Sequence, residues 1–260
     1  MAALTVDGAT LAVFDEGQGD PPFVFIHGLA CDHTFWQPQF DDLKRDHRCV
    51  SLDLRGRGAS SATPPYHTAR QADDVGAVMR ALGLGPSVIV GHSLGGITAL
   101  LLNERHPDLV LGVVLGDSPV RKDGLGAARA VEGLRAAGTT EPIRPLVESF
   151  WVDTTPESVK TRVRDVMLGC PAHVAAGMLE DSPDARMPEL VRLADRKPFM
   201  ALWAEKPLGE PNWLRDVTTF LRQEPVVGAG HFFQLERPEV TNALLRAFLD
   251  DVARDPRLAR

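Results

Sequence analysis

A serine set between two glycines, Gly91-His92-Ser93-Leu94-Gly95, is the stretch of this chain best suited to covalent chemistry. It follows the β-branched run Ser87 to Val90 and precedes an apolar helical stretch, Ile97 to Asn103. A nucleophile on such a sharp strand-to-helix turn stands clear of its neighbours. The glycines let adjacent chain pass close, and the helix beginning there aims its N–H groups at developing negative charge. Ser93 needs a base before it can attack a carbonyl. His231, in Gly228-Ala229-Gly230-His231-Phe232-Phe233 after the last expected strand, is the histidine best placed to reach it. His92 adjoins the serine but is expected to project away from it. His47, His106 and His173 read as surface or structural residues, while His33 and His67 could approach a pocket. A second glycine-bearing loop, Phe25-Ile26-His27-Gly28-Leu29, follows another apolar run. The N–H groups of Leu29 and Leu94 would then be the two donors for an oxyanion, with His27 ordering the loop.

The elements that must hold these groups follow from the pattern of apolar residues. Phe23 to Ile26, Cys49 to Leu52, Ser87 to Val90 and Val110 to Leu115 are short continuous apolar runs, as strands buried on both faces require. Helical stretches near 33–44, 69–82 and 94–105 alternate with them, the signature of an α/β architecture. Leu4 to Phe14 reads as an antiparallel hairpin turning at Asp7-Gly8. From 119 to 196 the composition becomes alanine-rich, charged and helical (127–137, 157–168, 172–180, 186–194), broken by Pro142, Pro156, Pro171 and Pro183. This block is expected as one helical insertion packed over the sheet, with 1–118 and 197–260 as the core domain. Phe199 to Ala204 resumes strand character, a less regular strand is expected near 218–227, and Glu236 to Arg254 gives a last helix with Pro238 in its first turn. The last six residues are expected to fray.

Composition narrows the function. In 260 residues, 28 basic and 35 acidic side chains leave a net charge of -7, which disfavours a nucleic-acid partner. Three cysteines, Cys31, Cys49 and Cys170, have neither disulfide nor zinc spacing and fit a reducing compartment. The N-terminus lacks the basic and apolar regions of a signal peptide and no 18-residue apolar run occurs, so a cytoplasmic protein without a membrane partner is expected. No G-x-G-x-x-G follows the first strand and no metal-ligand spacing stands out, so neither a cofactor nor a metal is expected.

Taken together, His27-Gly28, the loop Asp53-Leu54-Arg55-Gly56-Arg57-Gly58 with Ser60, the Gly91 to Gly95 elbow and Gly230-His231 before the final helix resemble the α/β-hydrolase superfamily, in its compact bacterial form with a helical cap. The resemblance spans nearly the whole chain. It implies an eight-stranded, mostly parallel sheet flanked by helices, with the second strand antiparallel. It also implies Ser93 as nucleophile, His231 as base, a mainly structural Asp53 to Gly58 loop, and 119–196 as cap. The commonest members carry the triad acid after the strand matching Phe199 to Trp203, often within W-G-E-K-D. Here that run is Trp203-Ala204-Glu205-Lys206-Pro207, with proline at the aspartate position. Another branch places the acid one strand earlier, where this chain has Val114-Leu115-Gly116-Asp117-Ser118. The resemblance thus implies Asp117 as the acid, with Glu205 and Glu210 as alternatives. Relatives that form alkyl-enzyme esters use aspartate at the elbow, which Ser93 excludes.

Phe35, Trp36, Phe150, Trp151, Met178 and Phe232, with Leu179, are expected around an apolar pocket between elbow and cap. Few basic residues are expected to point inward, which disfavours a polyanionic substrate. The function expected is hydrolysis of the carboxylic ester of a small, largely apolar substrate through an acyl-enzyme on Ser93. Lactone, thioester or carbon–carbon bond hydrolysis could use the same groups. A cofactor-free oxygenase or a small-molecule receptor are readings from other classes. Cap helices or the last helix could make a homodimer interface.

Overall fold

The β-branched runs become the centre of one sheet. The computed structural model describes residues 1–124 and 126–258. Its first two strands, β1 (Ala2–Val6) and β2 (Ala9–Glu16), form the antiparallel hairpin. Asp7 and Gly8 turn between them with φ of 43° and 74°, the paired left-handed geometry of a two-residue hairpin turn. β3 (Phe23–Ile26), β4 (Cys49–Leu52), β5 (Ser87–His92), β6 (Val110–Gly116), β7 (Phe199–Trp203) and β8 (Arg222–Pro225) complete an eight-stranded sheet, ordered β1-β2-β4-β3-β5-β6-β7-β8. β2 is antiparallel to both its neighbours and every other pairing is parallel.

The helices are α1 (Gln37–Leu43), α2 (Thr68–Ala81), α3 (Leu94–Arg105), α4 (Ala128–Ala137), α5 (Arg144–Glu148), α6 (Glu157–Leu168), α7 (Ala172–Leu179), α8 (Met187–Ala194), α9 (Pro211–Val217), α10 (Phe233–Glu236) and α11 (Pro238–Arg254). Side chains alternate across the sheet as strand geometry demands. Ile89 and Val113 pack with Ile97 and Leu100 of α3, whereas Val88, Val90 and Val114 pack with Phe40 of α1 and Phe248 of α11. α3 is buried from Leu94 through Asn103, between α2 and α8, which is why its apolar run has no polar face.

Three local expectations change. The helical block 119–196 is not a single layer: α4 packs on α7, whereas α8 packs on α3 and α9 in the layer flanking the sheet. Met187, Leu190, Val191 and Ala194 of α8 give it the one-sided apolar stripe of such a helix, and composition alone cannot say which surface that stripe meets. The final strand is confined to Arg222–Pro225, because Asp195 accepts from the N–H groups of Thr219 and Phe220 at 2.6 and 3.0 Å and holds that stretch out of the sheet. At the C-terminal end, Pro256–Leu258 form a helical turn, and Arg257 bonds the Asp195 carbonyl at 2.6 Å; residues 259 and 260 lie outside the described residues. Among the described residues, no helix is long and apolar enough to cross a membrane.

Candidate active site

Ser93 sits where β5 ends and α3 begins, with φ 53° and ψ −124°. That conformation costs a non-glycine residue about 1–3 kcal/mol. Packing holds it. The Ser93 N–H donates to the Gly116 carbonyl at 2.7 Å, and its own carbonyl accepts from Gly96 at 2.9 Å. The flanking glycines are spatially required: a Cβ on Gly91 would lie 2.3 Å from the Gly95 carbonyl oxygen, and one on Gly95 would lie 2.5 Å from those of Ile26 and His27. The loop after β3 therefore rests directly on the elbow. Leu29 and Leu94 line the same cavity as Ser93. Among the described residues, neither of their N–H groups donates to a protein acceptor. His27 orders this loop: Nδ1–H donates to the Gly28 carbonyl at 2.9 Å, and Nε2 accepts from the Leu54 N–H at 3.0 Å. Burial lowers its pKa to about 4, so it is neutral.

Asp117 follows β6, with φ 39° and its carboxylate fully buried. His231 Nδ1–H donates to Asp117 Oδ2 at 2.6 Å. Asp117 Oδ1 accepts from the N–H of Leu208 at 3.2 Å and, at 3.4 Å, from that of Ala204. The loop after β7 thus donates two amides to the carboxylate that follows β6. Glu205 is exposed, with its N–H on the Ala229 carbonyl, and Glu210 Oε2 accepts from the Lys122 N–H at 3.1 Å. Among the described residues, neither of these glutamates bonds to His231.

His231 is held on several sides. Its N–H donates to the Phe150 carbonyl at 3.0 Å, and the Phe150 ring lies 4.3 Å from the imidazole, centroid to centroid. His92 Nε2–H donates to the His231 carbonyl at 2.8 Å from a fully buried ring. Burial first, then the charge His231 can carry, holds the His92 pKa well below its ordinary value. A buried carboxylate, Glu236 Oε2, accepts from the Gly230 N–H at 3.1 Å and from Thr155 Oγ at 2.7 Å. Residues 150–155 of the helical segment thus grip the loop that carries His231. Sequence reasoning missed His92, Thr155 and Glu236 in these roles, because nothing in their spacing distinguishes a buried brace from an ordinary loop residue.

The cavity beside Ser93 measures about 260 Å³ and has Leu29, Leu94, Leu146, Phe150, Met167 and Leu179 in its apolar wall. Phe150, expected at the pocket, lines this cavity. The other expected aromatic and thioether side chains lie elsewhere. Trp36 is core, packed on Phe25 with its indole N–H on the Ile26 carbonyl. Phe35 is buried between Phe232 and Arg162, and Phe232 itself backs His231 from outside the cavity. Trp151 turns to Glu148 and Arg164. Met178 is core while its neighbour Leu179 lines the wall, since adjacent helical residues point about 100° apart. His33 and His67 are likewise outside it, the first paired with Asp53 and stacked on Phe14, the second capping α2. The three cysteines are buried, with burial pushing every thiol up, that of Cys49 to about 12. Among the described residues, no cluster of three or more metal-ligating side chains occurs.

Comparison with known proteins bears on the fold. A profile of the alpha/beta hydrolase fold matches residues 21–158. A protein of Caulobacter sp. (strain K31) named "Putative carbamate hydrolase RutD" is 29% identical over 283 aligned positions, covering 97% of this chain and all of that one. Three other curated relatives are matched over less than half of their length. Among solved structures, a thermophilic esterase from Thermogutta terrifontis superimposes with a TM-score of 0.83 at 24% identity, covering 96% of this chain and 97% of that one. Est816, described as an N-acyl homoserine lactone degrading enzyme, gives 0.78 at 26% identity, covering 95% and 100%. With its sheet order, its elbow and the matched profile, this chain belongs to the alpha/beta hydrolase fold family.

Proposed function

We propose that the protein hydrolyses carboxylic esters of small, largely apolar substrates through an acyl-enzyme on Ser93. The observation that carries this reading is the buried Asp117–His231 pair, 2.6 Å apart, joined through Leu208 and Phe150 to the wall of a cavity that holds Ser93 and two unused N–H donors. With Nδ1 committed to Asp117, Nε2 is the nitrogen left to accept the Ser93 proton as Oγ attacks the carbonyl carbon. The tetrahedral oxyanion rests on the N–H groups of Leu29 and Leu94. Collapse breaks the carbon–oxygen bond to the leaving group, which departs with the proton held by His231. Water then gives a proton to His231 and its oxygen to the acyl carbon, releasing the acid and restoring Ser93.

Lactone hydrolysis is the second reading, favoured by the 26% identity to the lactone-degrading Est816. It needs the same steps, with the leaving alcohol tethered to the acyl group. Intact-protein mass spectrometry after fluorophosphonate treatment tests both readings. One phosphonyl adduct is expected on the wild type, none on Ser93→Ala, and a much slower reaction in His231→Ala. A folded wild type that takes no adduct overturns the serine reading and leaves a proton-transfer enzyme or a receptor.

A further inference from the structure

We propose that Arg121 makes the Ser93 cavity selective for substrates bearing one anionic group, a carboxylate, on an otherwise apolar body. This rests on the acyl-transfer reading above and adds the charge of its substrate. Arg121 is the one charged side chain among the described residues lining that cavity. It stands four residues beyond Asp117, and the backbone of Leu208 joins the two. The Leu208 N–H donates to Asp117 Oδ1 at 3.2 Å, while its carbonyl accepts from Arg121 Nε at 2.7 Å.

That bond holds the guanidinium through Nε on Leu208, itself a residue of the cavity wall, and leaves both terminal amino groups. Among the described residues, neither has a protein acceptor. In a chain with net charge -7, arginines commonly find carboxylates: Arg164 holds Glu148 and Glu157, and Arg246 holds Asp42 and Asp46. Glu210, whose amide meets Val120 just before Arg121, turns Oε2 to the Lys122 N–H instead. The result is a tethered guanidinium fork with its donors free beside an apolar chamber, the geometry that binds a carboxylate through two parallel hydrogen bonds. One such fork suits one carboxylate. Among the described residues, the chamber's lining holds no second cation for a polyanion. Arg121 is exposed, so solvent screens part of the attraction and a modest selectivity is expected.

The test compares kcat/KM for paired esters of which one member bears a carboxylate and the other does not, each ratio being read against the wild type's. One pair is 4-nitrophenyl valerate and 4-nitrophenyl hemiglutarate, placing the carboxylate on the acyl arm. The other is phenyl valerate and 4-carboxyphenyl valerate, placing it on the leaving group. In Arg121→Gln, the charged-to-neutral ratio is expected to fall about tenfold for at least one pair relative to wild type, and to fall less in Arg121→Lys. Circular dichroism and fluorophosphonate labelling of Ser93 establish that each variant is folded. Ratios that stay within about twofold of wild type for both pairs overturn the proposal. If Ser93 of the wild type does not acylate, the acyl-transfer reading fails by itself. The same pairs measured as ligands by calorimetry then decide, and a charge preference independent of residue 121 overturns the inference.

Discussion

Replacing Asp117 by Asn removes a charge while keeping the shape and leaving Oδ1 to accept from Leu208 and Ala204. Two losses follow at His231. The carboxylate no longer offsets the imidazolium formed when Ser93 is deprotonated. Both groups are nearly or wholly buried, so an effective dielectric near 20 and about 4 Å between charge centres put that loss at about 4 kcal/mol, or about a thousandfold in rate. The amide can also turn its NH₂ toward Nδ1, which stabilises the tautomer with its proton on Nε2 and disables the base. A combined fall in kcat of about 10³–10⁴ is expected. The assay is single-turnover acylation with a 4-nitrophenyl ester, in parallel with Glu205→Gln and Glu210→Gln, which are expected to stay within about twofold of wild type. Denaturant unfolding separates chemistry from stability. A folded Asp117→Asn within about tenfold of wild type, or a Glu205→Gln or Glu210→Gln variant that loses acylation, would refute the assignment of the acid.

His27 is neutral when folded, with a pKa of about 4 against 6.5 unfolded, because burial disfavours its charge. The unfolded chain therefore binds the extra proton as pH falls below about 6.5, and stability drops by up to about 3 kcal/mol on the way to about pH 4. Urea unfolding across that window should find a shallower decline in His27→Gln; an unaltered slope would count against the buried neutral imidazole. Leu179 lies on the boundary between the Ser93 cavity and an outer groove between α4 and residues 179–184, which share Gly126, Ala127 and Leu179. Leu179→Ala should open one into the other and move the preferred ester to longer acyl chains, by about two or more carbons at the ~0.8 kcal/mol gained per buried methylene. A chain-length series with an unchanged optimum would show that this wall does not set the length.

Much of the frame was readable in the residues because local rules govern it. Short β-branched apolar runs bounded by turns form strands covered on both faces, Asp7-Gly8 between two alternating runs forms a tight hairpin turn, and Gly91 to Gly95, flanked as here, forms a strand-to-helix elbow. A motif of adjacent residues keeps its geometry whatever lies beyond it. That is why Ser93, the loop after β3 and the position of His231 past the last strand stand out in the sequence alone.

What the tertiary structure decided was every relation between segments remote in sequence. Asp117 and His231 are 114 residues apart, and whether Asp117, Glu205 or Glu210 faces the imidazole depends on how the loop after β7 folds over the end of β6. Pro207 removes one candidate from that loop, but only the packed chain has Ala204 and Leu208 donating to Asp117. The pocket was the least legible part. Apolar side chains look alike to a sequence whether they fill a core, as Trp36 and Met178 do, or face a cavity, as Phe150 and Leu179 do. Burial drives them all inside without specifying which surface they meet. The same indifference let α8 read as part of the overlying helices when its stripe packs on α3, and it hid the grip of His92, Thr155 and Glu236 on the loop carrying His231. Hydrophobic pattern determines which elements form, while direction, pairing and enclosure exist only once those elements are packed together.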